Sequence, residues 1–267
     1  MTSGKLCLMT CPMLEDEMIH NLCSDKESRR IILLENDNTV TLLPKLKMYN
    51  VEYESMSEAD FFREDNGIPD DGFTEIIWMM DVGLHEEPDV LRDAIHEALL
   101  KVDRYVDAIL MYYGLCGNGL KGVDDWCEEN LVHPMTIMRD SEGRMCDDCI
   151  GVPLDGTDNY LRLLRKYPGI MYLTPAFAGT WQEFMKHMEL FHGVDQSDDD
   201  MAKMIFDMAG YTQTMKVQTG LGDQVHFQEK CEEYAKRYDL ELIELEDGWV
   251  STKVADTSYA AAKATLQ

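Results

Sequence analysis

The sequence predicts an α/β protein with Rossmann-like layers around a mainly parallel sheet, with room for two lobes. Three observations predict it. Short apolar runs alternate with stretches of roughly 10 to 15 residues whose apolar positions recur every three to four. The runs, such as Ile31-Ile32-Leu33-Leu34 and Ala108-Ile109-Leu110-Met111, are apolar throughout, as strands covered on both faces must be. And they stop at Pro or Gly, as at Pro12, Gly83 and Gly114, where a helix can start or the chain can turn.

Taken in order, residues 5–10 form a strand, and Pro12 opens a helix carrying Met13, Leu14, Met18 and Leu22, with Cys11 as its N-cap. Residues 29–35 form the next strand. Residues 37–72 are polar, broken by Gly67-Ile68-Pro69, and read as a mixed connection or small subdomain. Residues 75–82 are a strand and 83–85 a turn. Pro88 then starts a helix whose apolar stripe is Leu91, Ala94, Ile95, Ala98, Leu99 and Val102. A strand over 106–113 runs into a glycine-rich loop, followed by a helix over 123–130 and a short strand over 134–138. The polar loop 139–144 leads to Cys146 and Cys149, then to a helix over 158–167, a strand over 170–174 and an amphipathic helix over 181–191. An acidic loop at 195–200 precedes a helix (201–208), strand (212–219), helix (223–238) and strand (240–245). One domain over 1–249 is expected, with lobes at 1–180 and 181–249. The small, polar tail 250–267 is expected to fray.

The charge excludes function classes. Of 267 residues, 24 are Lys or Arg and 51 are Asp or Glu, a formal net charge of −27. Such a chain repels nucleic acid and anionic membrane surfaces, and no apolar run is long enough to span a bilayer. With 45% hydrophobic residues there is ample material for a core. The N-terminus carries no signal-peptide pattern, so a cytoplasmic location is expected, with its eight cysteines reduced. The nineteen methionines fit a reducing cell.

The chemistry concentrates at strand ends. Cys11, His85 and Cys116 each follow a predicted strand, and Cys149 lies in a loop after another. In a parallel sheet such positions gather in one crevice. Thiolates and imidazole there are soft metal ligands, and a helix N-terminus would lower the Cys11 pKa. Cys7, Cys23, Cys127 and Cys231 read as packing residues. Cys146 and Cys149 have the spacing of a metal knuckle, without a second pair to complete it. Gly114, Gly117, Asn118 and Gly119 let backbone approach a ligand. Gly117 to Gly122 also matches G-x-G-x-x-G, but the strand before it is not the first of the sheet. Glu17, in the first turns of the Cys11 helix, either complements the helix dipole or reaches the crevice as a base.

Cys11 with Glu17, the Leu84-His85-Glu86-x-Pro88 run, Tyr113-Gly114-Leu115-Cys116-Gly117-Asn118-Gly119, Asp148-Cys149 and Tyr172-Leu173-Thr174-Pro175 occur in order. Together, over roughly residues 5–180, they resemble the DUF1638 family. The resemblance implies an accessory protein or enzyme of corrinoid-dependent methyltransferase systems for methylamines and betaines, in a methanogen or related microbe. It also implies a methyltransferase or corrinoid protein as partner. Two blocks depart from the family pattern. Met145-Cys146-Asp147-Asp148-Cys149 stands where the family shows Pro-Arg-x-His-Asp-Cys, which makes Cys146 a substitute ligand, and Ala176-Phe177 stands for Gly-Trp.

The expectation is therefore a metal site, an iron–sulfur cluster or zinc, on Cys11, His85, Cys116 and Cys149 with Cys146 in reserve and Glu17 as the acid–base group. Two alternatives are a non-metal module in which the glycine-rich loop holds a small anionic or corrinoid ligand, and an acidic surface that docks a methyltransferase.

Overall fold

The computed structural model describes residues 2–186 and 199–266, without the side chains of residues 85, 86, 183, 186 and 199. Six parallel strands form the first sheet: β1 (Gly4–Thr10), β2 (Arg30–Glu35), β3 (Glu54–Ser57), β4 (Phe73–Met79), β5 (Ala108–Tyr112) and β6 (Met135–Ile137), in the order β3-β2-β4-β1-β5-β6. A second parallel sheet has the order β7-β8-β9, from β7 (Ile170–Leu173), β8 (Gln213–Lys216) and β9 (Glu241–Glu244). The α/β class and parallel layering expected from the alternation are what the chain adopts.

Burial explains the central strands. β1 lies between β4 and β5, with Leu6 paired to Glu75 on one side and to Ala108 on the other. Every residue of β4 and β5 is buried, so neither strand alternates apolar with polar. Glu75 is the exception in chemistry. It sits in the middle of the sheet at 0% exposure, held by Arg29 and by Tyr259 Oη at 2.5 Å.

The connections fix where a ligand can go. β1 leads through α1 (Glu15–Ser24) towards β2, on one side, whereas β5 leads through α5 (Val123–Asn130) to β6, on the other. Adjacent strands whose connections diverge leave a crevice at their carboxyl ends, here between β1 and β5. β4 runs through the 3-10 turn Val82–Glu86 and α4 (Pro88–Val102) to β5. The polar stretch after β2 supplies α2 (Leu42–Met48), β3 and α3 (Glu58–Phe61), so it extends the sheet and does not form a separate subdomain.

The second sheet meets this crevice. α7 (Pro175–Lys186), which follows β7, packs on the 3-10 turn Pro12–Leu14 and on α1. It starts six residues before the expected Trp181 because Pro175 suits the first helical turn. Its expected end at 191, and most of the acidic loop, lie outside the described residues. α8 (Asp199–Met208) and α9 (Gln224–Tyr238) pack against each other, and Phe206 stacks on Tyr238 with ring centroids 4.4 Å apart. α6 (Thr157–Lys166) puts Leu163 into the small core of the second sheet, with Ile170, Tyr172 and Met215. That sheet thus begins before the lobe boundary expected at residue 180.

The tail does not fray. Residues Lys253–Ala264 form α10, packed on α1, β5 and β6. Val254, Ala255, Ser258, Tyr259 and Ala262 are buried and fall on one helical stripe. Small side chains let the helix approach the sheet closely, and composition alone disguised that stripe as polar tail. Tyr259 Oη also bonds Asp25 at 2.7 Å, so α10 ties the start of the chain to its end.

Candidate functional site: three cysteines at the carboxyl edge

Cys11 leaves β1 in extended conformation, and its carbonyl accepts from the Leu14 amide at 2.9 Å to start the Pro12–Leu14 turn. Its side chain makes no capping bond and is fully buried. Cys116 comes from the loop after β5. There the Leu115 amide donates to the Cys146 carbonyl at 2.8 Å and the Cys116 amide to the Asp147 carbonyl at 3.1 Å. Residues 114–116 and 146–148 therefore run side by side. Gly114 permits this approach, because a Cβ there would stand 2.7 Å from the Asp148 backbone. Asp148 Oδ1 accepts from the amides of Ile150 and Gly151 at 2.8 and 3.0 Å, a turn that presents Cys149.

The three thiols meet. Cys149 is in hydrogen-bonding contact with Cys11 and with Cys116. Burial pushes the Cys11 thiol well up, its bond to Cys149 adds to this, and the Met13 amide acts the other way. The lowered pKa expected from the helix end is thus corrected: loss of hydration outweighs one favourable amide. For Cys116 the bond to Cys149 is the larger cause and burial the second. Cys116 also holds φ +48°, a left-handed conformation that costs an ordinary side chain roughly 1–2 kcal/mol. Backbone strain of this kind gathers at functional sites.

Glu17 is 4% exposed, and its carboxyl is pushed up to about 8, first by burial, then by Asp16, with Cys149 a further contributor. It titrates where an acid–base group is useful. Its neighbours Glu15 and Asp16 are buried too, both on Lys45 of α2 at 2.7 Å. Tyr113, next to Gly114, is fully buried with no hydrogen-bond partner for its hydroxyl. Burial raises its pKa first, followed by the charges of Cys11, Cys116 and Cys149. In sequence Tyr113 is one more residue of an apolar strand, although its place directly before the glycine-rich loop marks it as an end position.

Other expected site residues fare differently. Cys146 is fully buried, its thiol pushed up to about 12 by burial, then by Asp140, Asp148 and Cys149. His85 lies in the 3-10 turn after β4, at the expected edge, with its side chain outside the description. The glycine-rich loop is built for itself. The amides of Gly119 and Leu120 donate to the carbonyls of Cys116 and Leu115 at 3.2 and 3.1 Å, and Gly119 lies against the Pro88 carbonyl, 2.9 Å from where a Cβ would be. Gly117 and Asn118 are exposed with left-handed φ. The amides of Gly119 and Leu120 are thus engaged within the turn and not offered to a pyrophosphate. Cys7, Cys127 and Cys231 are buried and raised chiefly by burial, as packing residues should be, and Cys23 is half-buried.

Beside the trio a cavity of about 580 Å³ opens between the two sheets. Cys116, Gly117, Asp148 and Cys149 border it, and Tyr160, Tyr172, Phe177, Phe184 and Tyr211 line it with Met13, Leu164 and Ile170. Among the described lining residues Asp148 alone carries a charge, its carboxyl pushed up to about 6 chiefly by burial. This wall is not visible in the sequence, since its aromatic residues come from α6, β7, α7 and the approach to β8.

The model of a family described as a protein of unknown function, DUF1638, matches residues 79–253. The chain belongs to this family. The DUF1638 match covers His85, Cys116, Cys146 and Cys149 and starts after Cys11 and Glu17. It also extends beyond residue 180, through the second sheet. No curated protein and no solved structure matches the chain.

Among the described residues, no group of three or more His, Cys, Asp or Glu side chains is already arranged to hold a metal ion. The donors gathered at this edge are thiols, the soft ligands that zinc and iron–sulfur clusters take, and burial disfavours the thiolates of Cys11 and Cys116. No helix among the described residues is long and apolar enough to cross a membrane.

Proposed function

We propose that this DUF1638 protein holds a thiophilic metal, zinc or an iron–sulfur cluster, on Cys11, Cys116 and Cys149, and that the metal acts on an organic ligand seated in the adjoining cavity. One observation carries the reading: Cys149 touches both other thiols although the three arrive from separate segments. Burial alone would be served by Val or Ala. A bound metal ion would hold the thiols as thiolates and, with three protein ligands, keep a fourth position open.

The cavity walls favour a ligand with apolar or aromatic surface. They speak against an anionic one, because no basic side chain is among the described lining residues. Glu17, near neutrality in its titration, is the proton donor or acceptor of the site. Cys146 and His85 are the reserve ligands from the same edge. Service to corrinoid-dependent methyl transfer, beside a methyltransferase or corrinoid protein in the cytoplasm, belongs to the same proposal. Its support is chemical: an open position on a thiolate-bound metal suits activation of a thiol acceptor.

Metal analysis and a visible spectrum of anaerobically purified protein test this. The expected result is about one zinc per chain, or iron with sulfide and visible absorption, falling to background in Cys149→Ser. A folded, metal-free wild type that takes up neither zinc nor a reconstituted cluster overturns the proposal.

A further inference from the structure

Among the described residues, four buried polar side-chain atoms lack a partner: Asp16 Oδ1, Tyr113 Oη, Asp155 Oδ1 and Trp181 Nε1. The two carboxylates are served through their other oxygens, by Lys45 at 2.7 Å and Lys253 at 3.4 Å. Trp181 lies edge-on to Tyr234 and Tyr238. Tyr113 differs from all three. Its one polar side-chain atom is unbonded, the residue is fully buried, and the titratable groups that act on it are Cys11, Cys116 and Cys149, with Asp81 after them.

An unmade hydrogen bond in a dry interior costs about 1–3 kcal/mol. Phe would fill the same space without that cost. A hydroxyl kept beside three sulfurs that already contact one another is explained by a guest that arrives between them. We propose that Tyr113 Oη donates a hydrogen bond to the metal–thiolate unit formed on Cys11, Cys116 and Cys149, through a coordinating sulfur or the exchangeable group in the metal's open position. The inference rests on the metal reading above, and adds that the fold carries an unsatisfied group in advance of binding. Tyr113 is thus a positioning residue that acts on the metal–thiolate unit, and its cost in the empty protein is recovered when the metal enters.

Tyr113→Phe tests this with two readouts on the full chain. In metal-free protein, thermal unfolding is expected at the same or a higher temperature than wild type, because an orphan hydroxyl has been removed. Zinc affinity, measured by chelator competition, is expected to fall about tenfold or more at unchanged stoichiometry, the worth of a hydrogen bond to a charged group. A clear loss of metal-free stability means that the hydroxyl has a structural partner, and overturns the inference. So does unchanged zinc affinity in Tyr113→Phe where Cys149→Ser abolishes binding. Wild type that binds no zinc, indistinguishable from Cys149→Ser, overturns the metal reading and this inference with it.

Discussion

Cys7 and Cys11 lie four residues apart, one in the body of β1 and one just past its end, and both are fully buried. Burial raises both thiols. Their neighbours separate them. For Cys7 burial is the cause, whereas for Cys11 the contact with Cys149 and the charges of Cys149 and Glu15 add to it. The body of the sheet offers hydrocarbon, and the carboxyl edge offers other polar groups, because strands stop there and loops deliver side chains from distant segments. Burial therefore does not tell a cysteine in the body of the sheet from one at its edge. Position along the strand does.

The sharpest way to break this comparison is to exchange the two roles. Cys11→Ser is expected to weaken zinc binding by about a hundredfold or more, through loss of a soft ligand. Cys7→Ser is expected to leave zinc binding intact and to cost roughly 1–3 kcal/mol of stability, for burying a hydroxyl without a partner. Equal effects on zinc would erase the distinction between body and edge.

A second test reads the charge at the edge. Glu17 is neutral in the fold up to about pH 8, but ionises in the unfolded chain above about pH 4.5. Because its folded pKa is raised, its contribution is complete below about 4.5 and is lost as pH rises through about 8. Glu17→Gln mimics the neutral acid at every pH. Its unfolding free energy should match wild type near pH 4 and exceed it increasingly towards pH 8, by on the order of 4 kcal/mol. A pH-independent difference would mean that Glu17 is not held neutral by its surroundings.

The smallest expected effect concerns how the edge is assembled. Gly114→Ala places a Cβ against the Asp148 backbone and should cost about 1–2 kcal/mol in denaturant unfolding, together with weaker zinc binding as residues 146–149 move away from Cys116. Gly117→Ala, where a Cβ meets nothing within 4 Å, should pay only for its left-handed φ and leave zinc binding unchanged.

Much of the fold was legible because its signals are local. Leu91, Ile95, Ala98, Leu99 and Val102 recur at helical spacing, and they are the buried face of α4. α10 was missed because Ala, Ser and Tyr on a stripe resemble tail until a sheet is placed beneath them. At the site, Cys11 and Cys116 were legible as strand-end residues and Cys149 as a loop residue near the same edge, whereas their contact was not legible, because it depends on how the loops after two strands pack. The direction of the Cys11 shift was not legible, since a helix end is visible in sequence and the depth of burial is not. Tyr113 Oη and the cavity wall were equally invisible, because an absent partner is a property of surroundings.

The sequence by itself determined the α/β class, the parallel strands and which cysteines stand at strand ends, since periodicity and strand termination act over a few residues. Only the tertiary structure decided that Cys149 joins Cys11 to Cys116, that Glu17 is held as a neutral acid, and that aromatic residues from the second sheet roof the crevice. Each of these depends on segments far apart in the chain meeting without water, and hydration and distance between such segments are set by packing.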